Sequence, residues 1–227
     1  SSAVAAPAVA SEAQPAAATV TVNKFDQRKS PSTCKYLYWS FSASGLSSSK
    51  DYYADITLTR STEKINSYTV ESKVVNGTNK VKSFVCSTLH KAGIWKATVR
   101  VKTGGSVVAK SATVSQTIRV KPAVEIASVY GTIGGSATLT GYASPGVDTK
   151  GKTIKVYFKK KGGSKTYKLI GTAKAQSSGY FKLTTTKLGL GYTYAKIEKQ
   201  DYIVSSKSKS VQIVRTSSAS ASSIALD

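Results

Sequence analysis

Apolar and polar residues alternate with a period of two through most of this chain, and that pattern restricts its fold more than any other feature. Successive side chains of a strand point to opposite faces, so such a run buries one face and wets the other. In residues 94–102 (IWKATVRVK), Trp95, Ala97, Val99 and Val101 share one face, while Lys96, Thr98, Arg100 and Lys102 point the other way. Ile56 and Leu58 alternate likewise in DITLTR. In KYLYWSF, Leu37, Trp39 and Phe41 share a face, and Tyr36 and Tyr38 share the other with Cys34, which predicts a strand covered on both sides. Turn signals punctuate these runs at Gly45, Asn76-Gly77, Gly104-Gly105, Gly134-Gly135, Pro145-Gly146, Gly162-Gly163 and Ser178-Gly179. Helical spacing is missing over any useful window. Short strands so punctuated predict an all-β sandwich or barrel.

A chain of 227 residues suits two modest domains. Lys121-Pro122 follows the strand-like QTIRV, and proline cannot donate to a ladder, so a boundary is expected near residues 120–123. This gives domains at 19–120 and 121–215, stacked end to end with limited freedom because the join is short. Residues 1–18 (Ala, Ser, Pro, Val) and 216–227 (mainly Ser and Ala) bury little area and are expected to be flexible tails. Ala8-Val9-Ala10 is an A-x-A pattern and the chain has no Met, which reads as a trimmed export product. Two cysteines allow either one bridge or two inert thiols, and export favours a Cys34–Cys86 disulfide. No window approaches the roughly 18–20 apolar residues of a membrane helix.

From 132 to 214 the order TIGGSATLTGYASPG, KGKTIKVYFKKKGGSKTYKLIGTAKAQSSGYFKL, GLGYTYAKIEKQ and SKSKSVQIV resembles the immunoglobulin-like repeats of secreted Gram-positive bacterial proteins. The matching stretches are a Gly-x-x-x-Pro corner at 141–145, a Gly-Lys-led strand at 151–156, a Gly-Tyr-Phe turn at 179–181, a Gly-x-x-Tyr strand at 191–194 and a valine-rich closing strand at 210–214. The first half resembles the same class through Ala92-Gly93-Ile94-Trp95, with its cysteines placed differently from the antibody pattern. The resemblance implies two tandem immunoglobulin-like β-sandwiches. Some relatives of that class carry a self-made Lys–Asn isopeptide bond promoted by a buried acid, and the resemblance offers Lys155 and Glu198 for the amine and the acid. All four Asn residues lie in the first half, against such a bond.

Familiar reaction chemistry finds few residues to use. His90, the one histidine, has no acidic neighbour in sequence to orient it, and a bridged Cys86 has no thiol to pair with it. Asp148-Thr149-Lys150-Gly151 faintly resembles a calcium loop, but its lysine opposes a cation. No catalytic residue, metal ligand set or cofactor is expected, and Asn76-Gly77-Thr78 reads as a hairpin turn.

Charge is the largest remaining signal: 33 Lys+Arg against 11 Asp+Glu give +22, shared almost equally by the two halves. Lysine far outnumbers arginine, which suits diffuse attraction to polyanions better than base reading, so nucleic acid is not the expected partner. The densest cluster is Lys155, Lys159, Lys160, Lys161, Lys165 and Lys168 around Gly162-Gly163. It reads as a polyanion-docking loop or as a solvated hairpin whose lysines protect strand edges. Tyr52, Tyr53, Tyr157, Tyr167 and Tyr180 are candidates for a sugar-stacking platform. The leading expectation is a secreted, non-catalytic binding or structural protein, extracellular or associated with the cell surface, that engages anionic envelope polymers. The alternatives are an adaptor subunit engaging a secreted partner protein through its N-terminal segment, and a carbohydrate-binding module.

Overall fold

The computed structural model describes residues 2–8, 16–215 and 220–225. Strands before Val120 form two sheets, and those from Ala123 onward form one. The first unit contains β1 (Thr19–Val22), β2 (Asp26–Lys29), β3 (Cys34–Ser44), β4 (Tyr53–Arg60), β5 (Glu63–Lys64), β6 (Ser67–Thr69), β7 (Gly77–Cys86), β8 (Gly93–Thr103), β9 (Ser106–Lys110) and β10 (Val114–Val120). One sheet runs β1-β3-β7-β6 and the other β2-β10-β8-β4-β5, with β9 on β8. All pairs are antiparallel except β2 with β10, which is parallel. Successive strands that alternate between two facing sheets in this order make an immunoglobulin-type sandwich.

Alternation in sequence becomes burial in space. β8 buries Trp95, Ala97, Val99 and Val101, and β3 buries Leu37, Trp39, Phe41 and Ala43, between the sheets. Each fully buried aliphatic or phenyl group contributes about 1.5–3 kcal/mol. Trp39 carries a polar atom into this core, and its Nε1 donates to Ser83 Oγ at 2.7 Å. The chain crosses from one sheet to the other between β1 and β2, and buried Gln116 satisfies that crossing. Its Oε1 accepts the Phe25 amide at 2.7 Å and its Nε2 donates to the Asn23 carbonyl at 2.9 Å.

One expectation about β3 is corrected. Tyr36 and Tyr38 are not covered but exposed, because no described strand or loop packs a further layer on the outer side of the β1-β3-β7-β6 sheet. The Cys34–Cys86 disulfide is present, and it joins directly opposite residues of β3 and β7 within this one sheet. Antibody domains instead bridge their two sheets.

The second unit contains β11 (Ala123–Thr132), β12 (Ala137–Ser144), the short α1 (Gly146–Thr149), β13 (Thr153–Lys160), β14 (Lys168–Lys174), β15 (Tyr180–Thr185), β16 (Gly191–Ile197), β17 (Ser206–Lys207), β18 (Val211–Arg215) and β19 (Ser220–Ala225). β14-β13-β16-β18 and β11-β12-β15 face each other around Leu139, Ile154, Val156, Phe181, Ile197 and Ile213. β19 hydrogen-bonds to both β18 and β11 and joins the halves into one continuous sheet. Residues 220–225, expected in a flexible tail, are therefore a central strand. Small side chains argued against burial, but two open strand edges recruit the backbone whatever its side chains. The rest of 216–227 lies outside the described residues. At the other end, Ala18 packs on the first core, and the Ala16 and Ala17 carbonyls lie where a Cβ on Gly45 would sit, so the expected tail is docked from Ala16 onward.

The units meet through a buried ion pair. Lys29 Nζ, from β2, lies 2.6 Å from Asp148 Oδ2, from α1, with both side chains essentially shielded from solvent. Asp148 Oδ1 also accepts the Ala92 amide at 2.7 Å, and Lys29 donates to the Ser87 carbonyl at 2.8 Å and to that of His90. Burial pushes the Lys29 pKa below the ordinary lysine value, against the pull of Asp148. Backbone bonds from Val120 to the Tyr202 carbonyl and from Val204 to the Val120 carbonyl complete the junction.

Candidate polyanion-binding face

The hairpin β13–β14 carries the lysines that the sequence clusters. β13 alternates Ile154 and Val156 inward with Lys155, Tyr157 and Lys159 outward. Lys160, Lys161, Lys165 and Lys168 lie at the hairpin tip and are exposed, and among the described residues none of the four is in an ion pair. No acidic residue occurs between Asp148 and Glu198, so no sequence neighbour of the tip carries a neutralising charge.

Lys155 and Lys159 behave differently from those four. Lys155 Nζ lies 3.8 Å from Glu198 Oε1, which Lys196 approaches to 3.4 Å. Lys159 Nζ sits 4.9 Å from the Tyr167 ring centroid and 5.2 Å from that of Tyr192. Tyr157 stacks on Tyr194 at 5.0 Å, Tyr167 meets Tyr194 edge-on at 4.8 Å, and Lys207 lies over Tyr194 at 5.4 Å. The Tyr167 hydroxyl is 2.9 Å from Ser210 Oγ. Burial, and then neighbouring Tyr157, raise the Tyr194 pKa above its ordinary value. The result is a closed cluster of tyrosines edged by lysines, beside a tip of free ammonium groups.

Sequence reasoning missed Tyr192, Tyr194 and Lys207, although the outward parity of Tyr192 and Tyr194 in GYTYAKI could have found two of them. The five tyrosines taken as a sugar platform do not come together. Tyr52 is buried and its hydroxyl accepts the Ser47 amide, Tyr53 is exposed on β4, Tyr180 pairs with Tyr142, and only Tyr157 and Tyr167 join one cluster. They are distributed over both units, and a sequence list carries no distance.

The remaining chemical candidates are occupied otherwise. His90 Nδ1 accepts the Cys86 amide at 2.9 Å, and Trp95 packs edge-on at 5.9 Å. The lone pair that a general base needs is thus engaged, and burial lowers the His90 pKa. Asp148 of the faint calcium loop faces Lys29 instead of a cation site, and among the described residues no group of three His, Cys, Asp or Glu gathers. Lys155 and Glu198 are partly exposed, and Asn79, one of the four asparagines, is bonded to Val75 within the first unit.

No protein-family model matches the chain, and no curated protein matches it either. Among solved structures it is similar to bovine butyrophilin, at 10% identity over 88% of this chain and all of that one, with a TM-score of 0.44. It is also similar to domains of titin, at 11% identity over 85% of this chain and 64% of that one, with a TM-score of 0.30. The strand order defines the class: a tandem of immunoglobulin-like β-sandwiches, nearly all β. The disulfide is compatible with an extracellular protein, and no described helix is long and apolar enough to cross a membrane.

Proposed function

We propose that this protein is a non-catalytic binding or structural protein that associates with anionic polymers of a cell envelope through the β13–β14 hairpin. The observation that carries this reading is the tip of Lys160, Lys161, Lys165 and Lys168, exposed and, among the described residues, without acidic partners on a paired hairpin. Anionic groups repeated along a polymer would meet several of these ammonium groups at once, and the interaction would weaken as salt shortens the Debye length. The tyrosine cluster behind the tip holds Lys159 in place and stiffens the hairpin base.

The test is retention of the full chain on immobilised teichoic acid and on polyphosphate. Raising salt from about 50 mM to about 500 mM is expected to release it. Replacing Lys160, Lys161, Lys165 and Lys168 together by Ser is expected to weaken binding about tenfold, a change of about 1.4 kcal/mol. Retention that ignores both salt and the fourfold replacement would refute the reading.

A further inference from the structure

The outer face of the β1-β3-β7-β6 sheet lies in the other unit, far in sequence from the lysine hairpin, and has no role in the reading above. Residues directly opposite on neighbouring strands share a face, so the register Tyr36↔Phe84 and Tyr68↔Lys82↔Tyr38 puts these five side chains on one surface. The four aromatic groups are 40–53% exposed. Tyr36 lies 5.1 Å from Phe84 and 6.5 Å from Tyr38, with the rings tilted to one another. Lys80 Nζ is held 4.6 Å above the Tyr38 ring and Lys82 Nζ 5.4 Å above the Tyr36 ring. The other outward residues of these strands are Ser or Thr, apart from the disulfide at one end, and none is acidic.

A soluble sandwich has little reason to leave four rings open unless they meet something. The ammonium groups decide what. A second copy would bring lysines against lysines on a chain of net charge +22. The stacked bases of single-stranded nucleic acid need ring faces, and here lysines stand over two of them. A sugar ring carrying a carboxylate fits both features, because it needs a cation beside the carboxylate and only the Phe84 and Tyr68 rings, over which no described lysine stands. Its C–H surface rests on Phe84 and Tyr68, its hydroxyls meet the tyrosine and serine hydroxyls, and its carboxylate pairs with ammonium groups that the tyrosine rings already orient. We propose that this face binds an acidic polysaccharide of the uronate class. The proposal stands whether or not the second-unit hairpin binds polyanions.

The test is calorimetric titration of the full chain with hexagalacturonate at about 50 mM salt. Tyr36→Ala combined with Phe84→Ala, and separately Lys80→Gln combined with Lys82→Gln, are each expected to weaken binding about tenfold or more. Because the hairpin is itself proposed to take polyanions, the titrations are repeated in the fourfold hairpin variant, where binding that still depends on Tyr36, Phe84, Lys80 and Lys82 is expected to persist and its disappearance would overturn the proposal. Thermal melts monitor folding, and the lysine pair, exposed Lys80 and half-buried Lys82 on the outward face, keeps the test decisive if the aromatic pair fails to fold. No binding, binding unchanged in both double variants, or tighter binding of polyphosphate or oligothymidylate at the same residues would overturn the proposal.

Discussion

The two units share an immunoglobulin-type order of their central strands and differ in how they finish it. The first keeps two separate sheets and is stapled within one of them by Cys34–Cys86. The second has no cysteine and closes its seam with β19, bonded to an edge strand on either side. Their outer faces diverge as well. Tyr157, Tyr167 and Tyr194 of the second unit are turned on each other, whereas Tyr36, Tyr38, Tyr68 and Phe84 of the first remain open. Strand order therefore leaves both edge protection and surface chemistry to be settled locally, once by a covalent bond and once by an extra ladder.

The largest test of this contrast acts where the units join. Lys29→Met leaves Asp148 buried and uncompensated and is expected to destabilise the protein by about 3–5 kcal/mol in urea unfolding. It is also expected to split the unfolding into two transitions. Lys29→Met with Asp148→Leu should recover most of the loss, and a double variant no better than the single one would show that the carboxylate is not the problem. Next, Cys34→Ser with Cys86→Ser is expected to cost about 2–4 kcal/mol. Amide exchange should quicken in β3 and β7 but not in β13 and β16, and equal quickening would erase the distinction between the closures. Gln116→Leu removes the partners of Phe25 and Asn23 at a sheet crossing for which the second unit has β19 instead. It is expected to cost about 1–3 kcal/mol, read from the melting midpoint.

The smallest effect concerns pH. The His90 pKa is depressed in the fold, so between that value and the ordinary 6.5 the unfolded chain binds more protons than the native one. Stability is complete above 6.5 and falls as pH drops through that window. His90→Gln is expected to flatten this part of the stability curve, and a curve unchanged by the replacement would show that the histidine does not titrate with unfolding.

Alternation made the strands legible because burial in a sandwich follows side-chain parity, as in β8. It could not say whether a further layer covers the outward set, and that is why Tyr36 and Tyr38 were misjudged. Composition misjudged 220–225 because backbone pairing needs no apolar side chain. In DQRK, Lys29 looks like any solvated strand lysine, since its partner Asp148 is remote in sequence and reached only through the packing of the units. The tip lysines were legible as a cluster, but which of them are anchored to rings depends on cross-strand register.

The Lys29–Asp148 contact also sets a length. Because a buried pair and two backbone bonds clamp the halves, the hairpin tip and the open aromatic sheet stand at one fixed interval instead of drifting on a tether. If both proposed faces take the same polymer, one shorter than that interval would hold on in only one place, and a longer one would gain a second grip at high effective concentration, making chain length a quantity the molecule could measure.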